Sequence, residues 1–249
     1  MDCYKELAME CCQRINKDLE EERALSENVV LRKFSVEGSK AVGLFGRGAG
    51  KYLTLEFKEN LLNPALTKEA IRSASNALGY LIKGFHTKIK RVLIAGLGNA
   101  KIRADSLGYE TISRLNSLRQ REKIKTVFPS VYGETGIESA DVIRGVASTV
   151  SPDLIIAVDT LVCRIPHNMF GTIQITDAGI TPGAGVGNHR KSVSFDTLGV
   201  PVIAMGMPLL SYTQSHPRYG DMVVTPKDVD FMVKRGGELL SKVICKALL

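Results

Sequence analysis

From residue 91 onward this chain alternates strand-like apolar runs with longer segments of helical apolar spacing, and no other feature restricts its fold as much. The strand-like runs fall at 91–95, 126–132, 154–159 and 202–205, with a further strand pattern at 172–176. Helical patterns fill 104–118 and 138–150. A wholly apolar run such as Leu154-Ile155-Ile156-Ala157-Val158 suits a strand buried on both faces, and strands joined through helices run parallel. The expectation is an α/β fold, a mainly parallel twisted sheet with helices on both faces. Ahead of it, 1–25 reads as a helix with Leu7, Ala8, Cys11, Ile15 and Leu19 on one face. Strand patterns at 29–33 and 52–57 flank a glycine-rich turn at 43–50, an N-terminal strand-turn-strand extension. A helix from about residue 67 presents Ile71, Ala74, Leu78, Leu81 and Ile82. A long terminal helix has Thr225 as N-cap, Pro226 at its first position and Asp228 completing a capping box, after a loop at 211–220. There are no repeats and no linker composition. The 249 residues are therefore read as a single domain, 1–249, long enough for one substantial core.

Composition removes several function classes. No apolar run approaches the roughly 18 residues of a membrane span. The start, Met1-Asp2-Cys3-Tyr4-Lys5-Glu6, lacks the apolar core of a secretory signal, so a cytoplasmic protein is expected. The five cysteines, Cys3, Cys11, Cys12, Cys163 and Cys245, are odd in number and never spaced C-x-x-C, which favours packing over disulfides or metal. The net charge of +7 comes from scattered basic residues without interleaved aromatics. That pattern fits a solvated face or attraction to acidic peptide rather than direct nucleic-acid binding.

Two acids stand out. Strand 91–95 runs into Gly96-Leu97-Gly98-Asn99 and then Asp105 at the head of a helical pattern; strand 154–158 ends directly in Asp159. Loops at the carboxyl ends of parallel strands meet in one crevice, so the two acids are expected to share a site. A lone Asp105 is more readily a helix N-cap or first-turn acid, but an Asp closing a buried strand is costly unless paired or used. The glycines have no better use. Residues 43–51 fail as a phosphate loop, because Phe45 stands where glycine is needed and Tyr52 where Ser or Thr would hold magnesium. Gly96-Leu97-Gly98 fails as a dinucleotide fingerprint, with Lys101 in place of the third glycine. The loop from Asp177 through Gly179, Gly183, Gly185, Gly187 and Asn188 to His189, Arg190 and Lys191 is either an active-site wall or a surface excursion. The four histidines show no metal spacing, and Gly-x-Ser-x-Gly is absent.

Gly48-Ala-Gly50-Lys51-Tyr52, Gly96-Leu-Gly98-Asn99, Asp105-Ser-Leu107-Gly108, Gly133-Glu-Thr135-Gly136, Ala157-Val-Asp159-Thr-Leu161, Thr172 to Asp177-Ala-Gly179 and on to Gly187-Asn188, and Met222 to Asp230 together resemble the bacterial spore germination proteases. The resemblance implies an endopeptidase that degrades small acid-soluble spore proteins during germination, an aspartic-type peptidase and a homotetramer in the cytoplasm of the forespore and spore core. It implies Asp105 and Asp159 as catalytic acids, the same pair reached from the strand ends. It also implies a phosphorylase/hydrolase-like fold related to the hydrogenase maturation proteases, whose equivalent acids bind nickel; no metal and no cofactor are expected here. Gly96, Gly98, Asn99, Asp177, Gly187, Asn188 and Arg190 are expected to bind substrate, with Gly96, Gly98 and Asn99 donating to the oxyanion. Arg190 or Lys191 is expected to hold an acidic substrate residue. Family members are usually longer and begin as zymogens. Here Glu6-Leu7-Ala8 resembles a preferred cleavage site, so any self-processing is expected to remove only a few residues. The alternatives are a metal-sensing maturation peptidase and a non-catalytic binding protein of the same fold.

Overall fold

Hydrogen bonding joins the strands into one sheet in the computed structural model, which describes residues 7–16, 20–86, 88–116, 123–188, 190–213, 218 and 220–248. The strands are β1 (Glu21–Ala24), β2 (Val29–Val36), β3 (Gly50–Phe57), β4 (Val92–Gly96), β5 (Ile124–Val127), β6 (Leu154–Cys163), β7 (Thr172–Thr176), β8 (Val202–Tyr212) and β9 (Val223–Val224). The helices are α1 (Ala8–Asn16), α2 (Gly38–Phe45), α3 (Thr67–Gly84), α4 (Leu107–Asn116), α5 (Tyr132–Thr135), α6 (Ser139–Val150), α7 (Phe195–Leu198) and α8 (Val229–Leu248). The order across the sheet is β1-β2-β3-β7-β8-β6-β4-β5, with β9 also on β8. The α/β sheet flanked by helices is as expected. Its parallel part is β5-β4-β6-β8, where helices make the crossovers, and the other pairings are antiparallel.

Several elements differ from the sequence reading, each for a local reason. The described N-terminal helix spans Ala8–Asn16, the expected Leu19 lies outside the described residues, and Glu21–Ala24 forms an edge strand whose Glu22 pairs with Arg32 of β2 at 2.6 Å. The connection from β2 to β3 is not a hairpin turn: Gly43 lies in α2, which ends at Gly46 in a left-handed conformation. The strand expected at 126–132 is β5, shifted toward Ile124, and Tyr132–Thr135 turns as helix. β6 continues to Cys163 and β8 to Tyr212, well past their expected ends. Ser211 and Tyr212 thus lie in a strand rather than in the loop at 211–220. The terminal helix starts at Val229, with the Asp228 carbonyl accepting from Phe231 and Met232. Thr225 does not cap it; its hydroxyl donates to the Leu209 carbonyl at 2.8 Å. His189 and His216 lie outside the described residues.

Strand alternation divides the core between two faces. On the first face, Leu53, Leu55, Ile94, Ile156, Val158, Ile173, Ile175, Ile203 and Met205 pack under α3, α4 and α8. The second face has two separate covers. Over β4, β6 and β8, Ala140, Ile143 and Ala147 of α6 and Leu198 of α7 bury Leu93, Ala95, Ile155 and Ala157. Over the antiparallel wing, Ala8, Cys11 and Cys12 of α1 and Phe45 of α2 pack on Phe34, Val36 and Tyr52. Phe34 and Tyr52 stack with ring centroids 5.0 Å apart. Between these covers the second face is polar, with Thr54, Thr172, Gln174, Thr176 and Asp159 all buried. Among the described residues, no helix is long and apolar enough to cross a membrane.

Candidate active site

The polar gap between the two covers is the floor of a cavity of about 600 Å³, and both Asp105 and Asp159 line it. β4 stops at Gly96, paired with Val158, while β6 runs on, so Asp159 emerges just where its neighbour strand leaves the sheet. Its register partner on β8 is Gly206, and the partner of Gly206 on β7 is Gln174. This places a carboxylate, a bare backbone and an amide in one row across the floor. A Cβ at position 206 would lie 2.2 Å from the Asp159 carbonyl oxygen, so only glycine keeps that row open.

Asp105 arrives by another route. After β4 the chain bends through Gly98, whose φ of +93° L side chains rarely adopt, and makes a single 3-10 turn at Arg103–Asp105 before α4. Asp105 is therefore not a helix cap. The Asn99 N–H donates to its carboxylate at 2.8 Å, and a Cβ on Gly98 would fall 2.0 Å from the Asp105 carbonyl oxygen. The turn is thus shaped around the acid.

Electrostatics sets the two carboxyls apart from ordinary ones. Burial pushes Asp105 up to about 6, against the lowering effect of the Asn99 N–H. Burial raises Asp159 well above its usual range, and the negative charge of Asp105 adds to that, while the Thr160 N–H, donating at 2.9 Å, opposes it. Two carboxyls in one cavity, both raised and each disfavouring the other's charge, favour a state in which the pair holds one proton. The arrangement can both accept and donate a proton. The donor set at this point is two carboxylates. Among the described residues, no group of three or more His, Cys, Asp and Glu converges as a metal-binding cluster.

The other expected site residues separate into two groups. Asp177 lines the cavity and accepts from the Lys51 N–H at 2.6 Å. Gly96, Gly98 and Asn99 do not line it; Gly98 lies against Asp105 and the Asn99 N–H donates to its carboxylate, while Gly96 packs against the Gly108 carbonyl. Of the glycine loop, Gly183, Ala184, Gly185 and Val186 form the wall, whereas Gly187 and Asn188 close the turn behind it, the Asn188 N–H donating to the Gly183 carbonyl. Arg190 also lies off the cavity, 4.4 Å over the Tyr132 ring and 3.6 Å from Glu138; Lys191 pairs with Asp141 at 2.7 Å.

Sequence reasoning missed four contributors. Gln174 is buried between Thr172 and Thr176 on one face of β7, and its side-chain oxygen accepts from the Ala8 N–H at 2.8 Å. Leu7, 1% exposed, lines the cavity itself. Glu10, buried in α1, accepts from the N–H groups of Arg164 and Ile165 and from the Asn168 amide. Arg47 lines the cavity. The one available signal was the polar alternation of Thr172, Gln174 and Thr176 within an otherwise apolar strand.

Residues 4–216 match the family model of the germination proteases. The chain belongs to the germination protease family. A germination protease of Priestia megaterium is 36% identical over 215 residues, covering 81% of this chain and 55% of that relative. One from Bacillus thuringiensis subsp. konkukian is 33% identical over 255 residues, covering 93% of this chain and 67% of its own length. This germination protease family member thus spans between about half and two thirds of those relatives. Among solved structures, a [NiFe] hydrogenase maturation protease from Thermococcus kodakarensis superposes with a TM-score of 0.43 at 17% identity, covering 66% of this chain and 99% of that one.

Proposed function

We propose that this family member is an endopeptidase that uses Asp105 and Asp159 as a proton-sharing pair to cleave small acid-soluble spore proteins during germination. The observation that carries the reading is the pair itself, two carboxyls in one cavity, both held above the ordinary carboxylate range and to different degrees. Asp105, the less buried and more acidic, takes the proton of a water molecule as that water attacks the scissile carbonyl. Asp159, which keeps its proton, donates to the departing amine. Neither step needs a cofactor. Small acid-soluble spore proteins as substrates, a homotetrameric assembly and a location in the spore core belong to the same proposal, and the family match is what supports them.

The test is incubation with a purified small acid-soluble spore protein and mass mapping of the products. Discrete internal cuts are expected from the native chain. Asp105→Asn and Asp159→Asn should each keep the circular dichroism spectrum and lose roughly 10²–10⁴-fold or more in kcat/KM, the usual contribution of a positioned acid or base. Near-normal cleavage by either variant would sink the assignment.

A further inference from the structure

The cavity wall is unbalanced in charge. Asp105, Asp159, Asp177 and Asp196 line it, and among the described lining residues Arg47 is the one cationic side chain. With Asp159 protonated, the remaining acids of the cleft still disfavour an acidic peptide side chain, and the guanidinium is the group among these lining residues that attracts one.

Arg47 is also held in place. It follows the C-terminal end of α2, and the next residue, Gly48, accepts from the Tyr52 hydroxyl at 2.8 Å. Further along, the Lys51 N–H is anchored on the Asp177 carboxylate. The loop bearing Arg47 is thereby tied to β3 and to the end of β7 at the cavity wall. Burial pushes the Tyr52 phenol up to about 12 against the opposing pull of the Arg47 guanidinium, which puts that charge beside a cavity-lining ring. A planar guanidinium offers a carboxylate two parallel donors, geometry that a lysine lacks. The cations expected from sequence for this task, Arg190 and Lys191, are engaged with Glu138, Tyr132 and Asp141 off the cavity. A length of peptide already lies against the floor: the chain's own Leu7 lines the cavity, and the Ala8 N–H is bonded to Gln174.

We propose that Arg47 sets the charge preference of this cleft by pairing with the carboxylate of an acidic residue in the bound peptide. The kinetic part of the test rests on the endopeptidase reading; the binding part does not.

A host peptide copies the chain's own Glu6-Leu7-Ala8-Met9 between neutral flanks, with the first residue Glu, Gln or Lys. The native chain should favour Glu over Gln in kcat/KM by roughly 10–100-fold, the range of a hydrogen-bonded charge. Arg47→Ala should bring that ratio close to one, Arg47→Lys should keep part of it, and Arg47→Glu should turn the preference toward Lys. If Arg47→Ala fails to fold, Arg47→Gln carries the same comparison with length and polarity kept. A ratio that survives loss of the guanidinium overturns the proposal, as does a ratio that collapses in Arg190→Ala instead. The same peptides are then bound to Asp159→Asn, with and without Arg47→Ala, and followed by fluorescence anisotropy. Glu-selective binding that disappears with Arg47 supports the assignment even in a chain that cuts none of the peptides, an outcome that would defeat the endopeptidase reading alone. Equal binding of the Glu and Gln peptides to Asp159→Asn overturns the assignment, and cleavage with an unchanged ratio overturns it while leaving the endopeptidase reading standing.

Discussion

Asp159 occupies a position where an ionised carboxylate is poorly solvated, in the middle of a sheet and 6% exposed, and its energetics give two predictions. A carboxyl whose folded-state pKa lies above its ordinary 3.8 keeps its proton longer when folded than when unfolded. That favourable term is complete below the unfolded value and is lost as pH rises through the folded one. Asp159→Asn removes the penalty of ionising the site, so its Tm should exceed that of the native chain at pH 7–8. The gap should narrow toward zero near pH 4, with each 1 kcal/mol worth roughly 2–4 °C in a chain of this size. Calorimetry across that range checks it, and a gap that widens on acidification would contradict it. The second prediction concerns rate. With Asp105 pushed up to about 6, cleavage should rise with pH through about 6 as this carboxyl loses its proton and becomes a base. A pH–kcat/KM profile with no inflection between about 5 and 7 would remove Asp105 from that role. At this scale the pair was legible in the sequence, because an acid that closes an apolar run is chemically conspicuous. Gln174 and Arg47 were not, since a single polar residue in a strand, or one arginine among 33 basic residues, carries no local mark of what it faces.

Elements aim these side chains, and two of them do so through contacts that can be broken. The turn after β4 is moulded on Asp105, so Gly98→Ala forces a Cβ against the Asp105 carbonyl and removes a residue suited to positive φ. A loss of about 1–3 kcal/mol or more is expected in urea unfolding, with a larger loss in kcat than in KM because the acid is displaced. Glu10 fixes α1 to the sheet by accepting from Arg164, Ile165 and Asn168. Glu10→Ala removes the acceptor of the buried Asn168 amide and of two part-buried N–H groups and should cost roughly 1–3 kcal/mol, with α1 amides losing protection in hydrogen exchange before the central strands do. Central strands and the α3, α6 and α8 helices were readable from their periods. The element ends were not. β6 and β8 outrun their apolar cores because pairing with each other, as in Thr160 with Met207, carries polar residues along. Thr225 looks like a helix cap, yet the Leu209 carbonyl competes successfully for its hydroxyl.

The whole molecule puts its largest apolar layer and the candidate site on opposite faces of one sheet. The first face is sealed by α3, α4 and α8 over a continuous apolar layer, and the second is covered twice with a polar gap between. Leu240, fully buried in α8, belongs to the sealed face. Leu240→Ala should therefore destabilise by about 2–5 kcal/mol while the folded fraction keeps its substrate preference, measured as kcat/KM ratios well below the unfolding midpoint. The sequence by itself determined the parallel α/β core, the helices that cover it and the pair of acids at its strand ends, since these depend on side-chain period and on neighbours close along the chain. Only the tertiary structure decided that Gly98 and the Asn99 N–H meet Asp105 off the cavity, that Arg190 turns away and that Arg47 lines the cleft. Those outcomes depend on which distant segments meet across the sheet, as when Asp177 accepts from Lys51 at the start of β3, and no local pattern encodes that meeting.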